Sequence, residues 1–132
     1  MHGRLTALLA MPPERCSCLA DQLKIIDANV RDASSCDEVA RLLRDDPDIS
    51  LVLTDLCLPD GSWFDVLSLA SDLHPGASVV VCTRFADELL WTKVLEAGGF
   101  DVLVEPYEET EVGPILMAAA KTRRHYQLAV AS

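Results

Sequence analysis

Unbroken apolar runs and apolar stripes at three- and four-residue spacing alternate along the chain. The runs have strand length and lie at Leu5–Met11, Leu51–Thr54, Ser78–Cys82 and Phe100–Val104, with a weaker candidate at Asn29–Ala33. Continuity, rather than alternation with polar residues, is the pattern of strands covered on both faces. Between them, Cys16, Leu19, Leu23 and Ile26 form a helical stripe behind Pro12-Pro13, which suits a helix entry. Cys36, Val39, Leu42 and Leu43 form a second, with Ser34 or Ser35 available as its cap. Trp63, Val66, Leu67, Ala70 and Leu73 form a third, ending before Pro75-Gly76. A fourth helix is predicted over Ala86–Ala97, closed by Gly98-Gly99. Val112, Ile115, Leu116 and Ala119 form the last, and Lys121, Arg123 and Arg124 complement the negative end of its dipole. The fold class predicted is α/β: a (βα)5 doubly wound, parallel five-stranded sheet with helices on both faces and right-handed crossovers. No linker, repeat or low-complexity stretch interrupts the 132 residues, so one domain is expected over 1–132.

Charge narrows the partners. Eleven Lys and Arg against 21 Asp and Glu give a formal net charge of −10. That balance argues against direct binding to nucleic acid or to an anionic membrane surface. No apolar run approaches the ~18 residues of a membrane-spanning helix. The apolar stretch at the start runs straight into Pro12-Pro13-Glu14-Arg15 without a small-residue cleavage pattern, so it reads as a buried first strand rather than a secretion signal. The five cysteines (Cys16, Cys18, Cys36, Cys57, Cys82) are odd in number and lack both a CxxC pair and zinc-type spacing. They read as small buried hydrophobes of a cytoplasmic protein.

In an open parallel sheet, ligands bind beyond the carboxyl ends of the strands. The residues predicted there are Ala10-Met11-Pro12, Asp55, Thr83-Arg84 and Glu105-Pro106. An aspartate closing an apolar strand, followed by Leu56-Cys57-Leu58-Pro59-Asp60-Gly61, is the most informative of these. With LVLTDLCLPDGSWFDVL, VVVCTRFADE and VLEAGGFDVLVEPYEE at these intervals, the chain resembles the receiver domain of bacterial two-component response regulators from Leu5 to the last helix. The resemblance implies a flavodoxin-like fold with strand order 2-1-3-4-5. It makes Asp55 the phosphoacceptor, Thr83 the hydroxyl that follows the phosphoryl group, and the backbone carbonyl of Cys57 a metal ligand. In such domains the aspartate attacks a kinase phosphohistidine. A Mg2+ held by the aspartate, an acidic pair and one carbonyl screens the phosphoryl oxygens, and a Lys before Pro adds a second positive charge.

The departures from that pattern are specific. Ala10 and Met11 stand in place of the acidic pair, Glu105 in place of the Lys, Arg84 in place of a small residue, and Val102 in place of an aromatic one. The expectation is therefore weak or absent Mg2+ binding, no other cofactor, and impaired phosphorylation at Asp55. The chain would be a non-enzymatic pseudo-receiver that signals through protein contacts. Arg84 is either a solvated loop charge or a guanidinium that reaches Asp55 or Glu105 and stands in for the missing cations. Trp91 is expected to project outward from the fourth helix. With Val102 and Tyr107 it would sit on the face of fourth helix, fifth strand and fifth helix, where the family docks partners and sister subunits. Partners expected are a histidine kinase or an output protein, or a second copy of the chain. Two alternatives stay open: a conventionally phosphorylated regulator, and a flavodoxin-like enzyme or cofactor carrier. The second lacks a Gly-rich phosphate loop after the first strand.

Overall fold

In the computed structural model, which describes residues 5–85, 87–108 and 110–119, each apolar run becomes a strand of one sheet. The strands are β1 (Thr6–Ala10), β2 (Asn29–Ala33), β3 (Ile49–Asp55), β4 (Ser78–Thr83) and β5 (Asp101–Val104). All pairings are parallel and the order is β2-β1-β3-β4-β5, as expected. The helices are α1 (Pro13–Ile25), α2 (Cys36–Asp45), α3 (Trp63–Leu73), α4 (Glu88–Glu96) and α5 (110–119).

The unbroken apolar runs follow from a sheet covered twice. Successive side chains of a strand point to opposite faces, so both faces must be apolar when both are buried. Leu9, Leu53, Val80 and Leu103 join Leu19 and Leu23 of α1 and Val112 and Leu116 of α5 in one core. Leu8, Val52 and Val79 join Val39 and Leu43 of α2 and Val66, Leu67 and Ala70 of α3 in the other. Every residue of β3 is buried. The outer strand β2 instead exposes Asn29, Arg31 and Asp32, which is why its run reads weakly.

Local chemistry sets the ends of the helices. Ser35, not Ser34, caps α2 by accepting from the Glu38 amide at 3.1 Å, while the Ser34 hydroxyl donates to the Glu38 carboxylate at 2.7 Å. Asp87 caps α4, accepting from the Leu89 and Leu90 amides at 2.9 and 3.4 Å, so that helix starts at Glu88. Ala86 and the cationic stretch with Lys121, Arg123 and Arg124 lie outside the described residues.

A feature absent from the sequence reading is a small antiparallel hairpin, Cys57–Leu58 against Gly61–Ser62, directly after β3. Its turn residue Asp60 reaches across to the start of α2, accepting from the Cys36 amide at 2.6 Å and the Asp37 amide at 3.1 Å. Gly61 must be glycine for this approach, because a Cβ there would meet Cys36 Sγ at 2.7 Å and Asp65 Oδ2 at 2.8 Å. The cysteine expectation needs correction. All five thiols are free, but only Cys36 and Cys82 are buried, whereas Cys18 and Cys57 are exposed. Cys18 lies off the apolar stripe of α1, and Cys57 sits on an arm of the hairpin. Burial pushes the Cys82 thiol up to about 12 and the Cys36 thiol up to about 11, the second aided by Asp60. Among the described residues, no helix is long and apolar enough to cross a membrane.

Candidate functional site at the carboxyl edge of the sheet

Parallel pairing carries the residues that follow β1, β3, β4 and β5 to one edge. Asp55 ends β3 with Cys82 as its register partner, so Thr83 is the next residue along the neighbouring strand. Glu105 follows β5, and its amide donates to the Thr83 carbonyl at 2.9 Å. Asp55, Thr83 and Glu105 thus converge, and Ala10 and Met11 fill the end of β1 as fully buried apolar side chains.

The centre of the site is Arg15, which the sequence reading did not single out. It is the third residue of α1, where its amide donates to the Pro12 carbonyl at 2.9 Å. Its Nη1 donates to Asp55 Oδ1 and its Nη2 donates to Glu105 Oε1 at 3.0 Å. One guanidinium therefore bridges Asp55 and Glu105, the residues at the carboxyl ends of β3 and β5. The Arg15 and Asp55 side chains are each 12% exposed and Glu105 is 30% exposed, so the pairs are largely shielded from screening by salt. Burial alone would lower the Arg15 pKa. Hydrogen bonds to Glu105 and Asp55 outweigh that effect and raise it, so the cation is permanent. A planar fork with several donors fits two carboxylates in a way that an ammonium does not.

Arg84, the residue singled out in the sequence, lies at the margin. Its Nε is 3.6 Å from Glu105 Oε2 with the side chain 62% exposed, and its only ion pair among the described residues is with Glu105. The cation paired with Asp55 is Arg15. A signal for it was present: with the acidic pair lost, a cation in the first turn of α1 emerges at the same strand end as Asp55. Asp55 Oδ1 also accepts from the Leu56 amide at 2.8 Å. Thr83 is buried, and its hydroxyl accepts from the Phe85 amide at 3.3 Å, a contact within its own loop. Cys57 pairs with Ser62 across the hairpin.

The donor set offers Mg2+ few side-chain oxygens. An octahedral site needs several oxygens. Ala10 and Met11 offer no side-chain oxygen, and Asp55 and Glu105 already hold a guanidinium. Among the described residues, no three His, Cys, Asp or Glu side chains gather as a metal site.

The three residues expected at an interaction face separate in the structure. Trp91 is exposed, with its indole Nε1 donating to Asp101 Oδ1 at 3.2 Å. Val102 is half-buried. Tyr107 packs against the α1–α5 core and its hydroxyl is buried, so it faces inward and is not part of the Trp91 surface. Two of its neighbours, Cys82 and Glu105, lie beneath or within the site, and burial, then their charges, raises its pKa.

No protein-family model matches the chain. It is 30% identical over 95 residues to the response regulator protein PilR of Pseudomonas aeruginosa, a match covering 72% of this chain and 21% of PilR. The chain thus spans about a fifth of that relative's length. It is 30% identical over 88 residues to protein CcdB of Bacillus subtilis, covering 67% of this chain and 70% of the relative. Among solved structures, the signal receiver domain of a Luxo repressor protein from Vibrio parahaemolyticus shares the fold with a TM-score of 0.82. That match covers 96% of this chain and 98% of the other at 21% identity. The strand order, an aspartate closing the buried central strand, and these relatives agree, and the chain belongs to the receiver domains of two-component response regulators.

Proposed function

We propose that this receiver domain, a single unit over residues 1–132, carries its cation within the chain and signals through protein contacts without Mg2+-dependent acyl phosphate at Asp55. The observation that supports this reading is the Arg15 bridge to Asp55 and Glu105. In the family's chemistry, metal and Lys neutralise the charge of the phosphoryl oxygens. A guanidinium fixed on the acceptor oxygen instead neutralises the resting carboxylate and makes it a poorer nucleophile and metal ligand. Glu105 adds a negative charge where the incoming phosphoryl group needs a positive one, and each ~1.4 kcal/mol lost from transition-state stabilisation slows transfer tenfold.

The domain acts as a non-enzymatic, cytoplasmic binding module. A histidine kinase, an output protein or a second copy docks on the α4–β5–α5 face around Trp91 and Val102, with no direct contact to nucleic acid. The test is Mg2+ titration followed by calorimetry, with mass spectrometry after incubation with acetyl phosphate. The native chain is expected to bind no Mg2+ in the low-millimolar range and to gain no mass at Asp55. Arg15→Met keeps the apolar stem and removes the fork. It leaves Asp55 without its counter-ion and Glu105 with the exposed Arg84 alone, and is expected to bind Mg2+ more tightly than the native chain does. Phosphorylation of the native chain at an ordinary rate, abolished by Asp55→Asn, overturns the proposal.

A further inference from the structure

The Arg15 guanidinium presents three edges, and only two are satisfied. Nη1 and Nη2 hold Asp55 and Glu105, while Nε is buried without a hydrogen-bond partner. One other side-chain polar atom among the described residues shares that condition, the hydroxyl of Tyr107. The two belong to one neighbourhood, since Arg15, Cys82 and Glu105 are the groups whose charges bear on the Tyr107 hydroxyl. Cys82 is fully buried in β4 and faces the Tyr107 hydroxyl, but a thiol is only a weak hydrogen-bonding group. A buried donor and a buried hydroxyl without partners are each costly, and pairing them, directly or over one water, removes both costs.

We infer that Tyr107 is the positioning residue of the Arg15 bridge: its hydroxyl oxygen accepts from Arg15 Nε–H, directly or over one water, and holds the guanidinium plane against Asp55 and Glu105. This rests on the reading of Arg15 as the built-in cation of the site and adds what keeps it there. Tyr107 lies three residues beyond β5, in the segment that leads into α5. The orientation of Arg15 is thereby tied to the chain that follows β5. Val102 offers no such route, since an aliphatic side chain can neither accept nor donate.

The test follows the Arg15 Nε–H proton by 15N NMR in metal-free protein, its resonance assigned by loss in Arg15→Lys. In the native chain this proton is expected to exchange slowly with solvent. In Tyr107→Phe, which keeps the ring and its packing, exchange is expected to rise by about tenfold, the equivalent of one lost hydrogen bond. Amide shifts away from the site stay unchanged. An equal exchange rate in the two proteins overturns the inference. A second measurement needs no variant: the native Nε–H must show a cross-peak to the Tyr107 hydroxyl or to a bound water that also contacts it, and the absence of both overturns the inference. Mg2+-dependent phosphorylation of the native chain would defeat the proposed function and leave this metal-free exchange measurement unchanged, so the two failures are distinguishable.

Discussion

Two helices of similar length, α2 and α4, are held to the same sheet in different ways. α2 buries Cys36, Val39, Ala40 and Leu43, and its first turn is capped twice, by Ser35 and by Asp60 from the hairpin. α4 buries Val94 alone. Around it Leu89, Trp91 and Leu95 stay exposed, as does Phe85 in the preceding loop at 77%. Gly98, with φ of 102°, and Gly99 turn the chain at its end, and a Cβ on Gly99 would lie 2.5 Å from Val94 Cγ1. One apolar anchor, a capping aspartate and the exposed Trp91–Asp101 hydrogen bond hold the helix. Local opening energy rises with buried apolar contact, so α2 is expected to open only with the whole domain and α4 well below that energy. The helix beside the proposed interaction face is the loosely held one, and the helix beside the hairpin is the fixed one.

The sharpest way to break this contrast is to truncate one anchor in each helix. Leu43→Ala is expected to cost about 3 kcal/mol and to lower Tm by roughly 10 °C, as cavity formation in a rigid core does. Val94→Ala is expected to cost about 1 kcal/mol globally, because loss of its packing is limited by the opening energy of α4. Hydrogen exchange of amides 88–96 should rise while that of α2 stays protected. Equal losses from the two variants would show α4 to be as integral as α2.

A smaller effect is expected at Asp60, which joins the hairpin to α2. The amide of Cys36, then that of Asp37, holds its carboxyl below the usual carboxylate range against the opposing effect of desolvation. The folded pKa is depressed, so this cap contributes fully above the unfolded value and is lost as pH falls through the folded one. Asp60→Ala should lower the urea midpoint at neutral pH by less than Leu43→Ala does. The difference from the native chain should shrink below about pH 4. A difference independent of pH would assign the loss to packing.

The smallest stability effect belongs to Trp91. Its exposed bond to Asp101 is worth little, so Trp91→Ala should change stability by no more than about 0.5 kcal/mol. Self-association or partner binding, measured by sedimentation or calorimetry, should weaken. A large stability loss would place Trp91 in the core instead.

The strands were legible because a sheet covered on both faces needs unbroken apolar runs, and the order followed from the family motifs around Asp55, Thr83 and Glu105. The hairpin was not legible: arms of two residues carry no periodicity, and its turn, Pro59-Asp60-Gly61, lies inside the motif. Arg15 escaped for a different reason. It lies 40 residues from Asp55 and 90 from Glu105, and only the β1–β3 pairing and the position of β5 bring the three together. Arg84 is adjacent to Thr83 in sequence and so attracted the role, but its exposed loop position carries it only to Glu105.

The outer strand β2 has a consequence for behaviour at high concentration. Its free edge is a row of backbone donors and acceptors on which another chain could add a strand. Arg31 and Asp32 stand exposed on that strand, Arg31 held by Asp46 at 3.2 Å, so an incoming strand must bury or displace fixed charge. The opposite edge, β5, is only four residues long. With a net charge of −10 opposing close approach of copies, both ends of the sheet resist fibril-type growth. Any self-association of this chain is thereby steered away from strand addition at the sheet edges and onto side-chain surfaces.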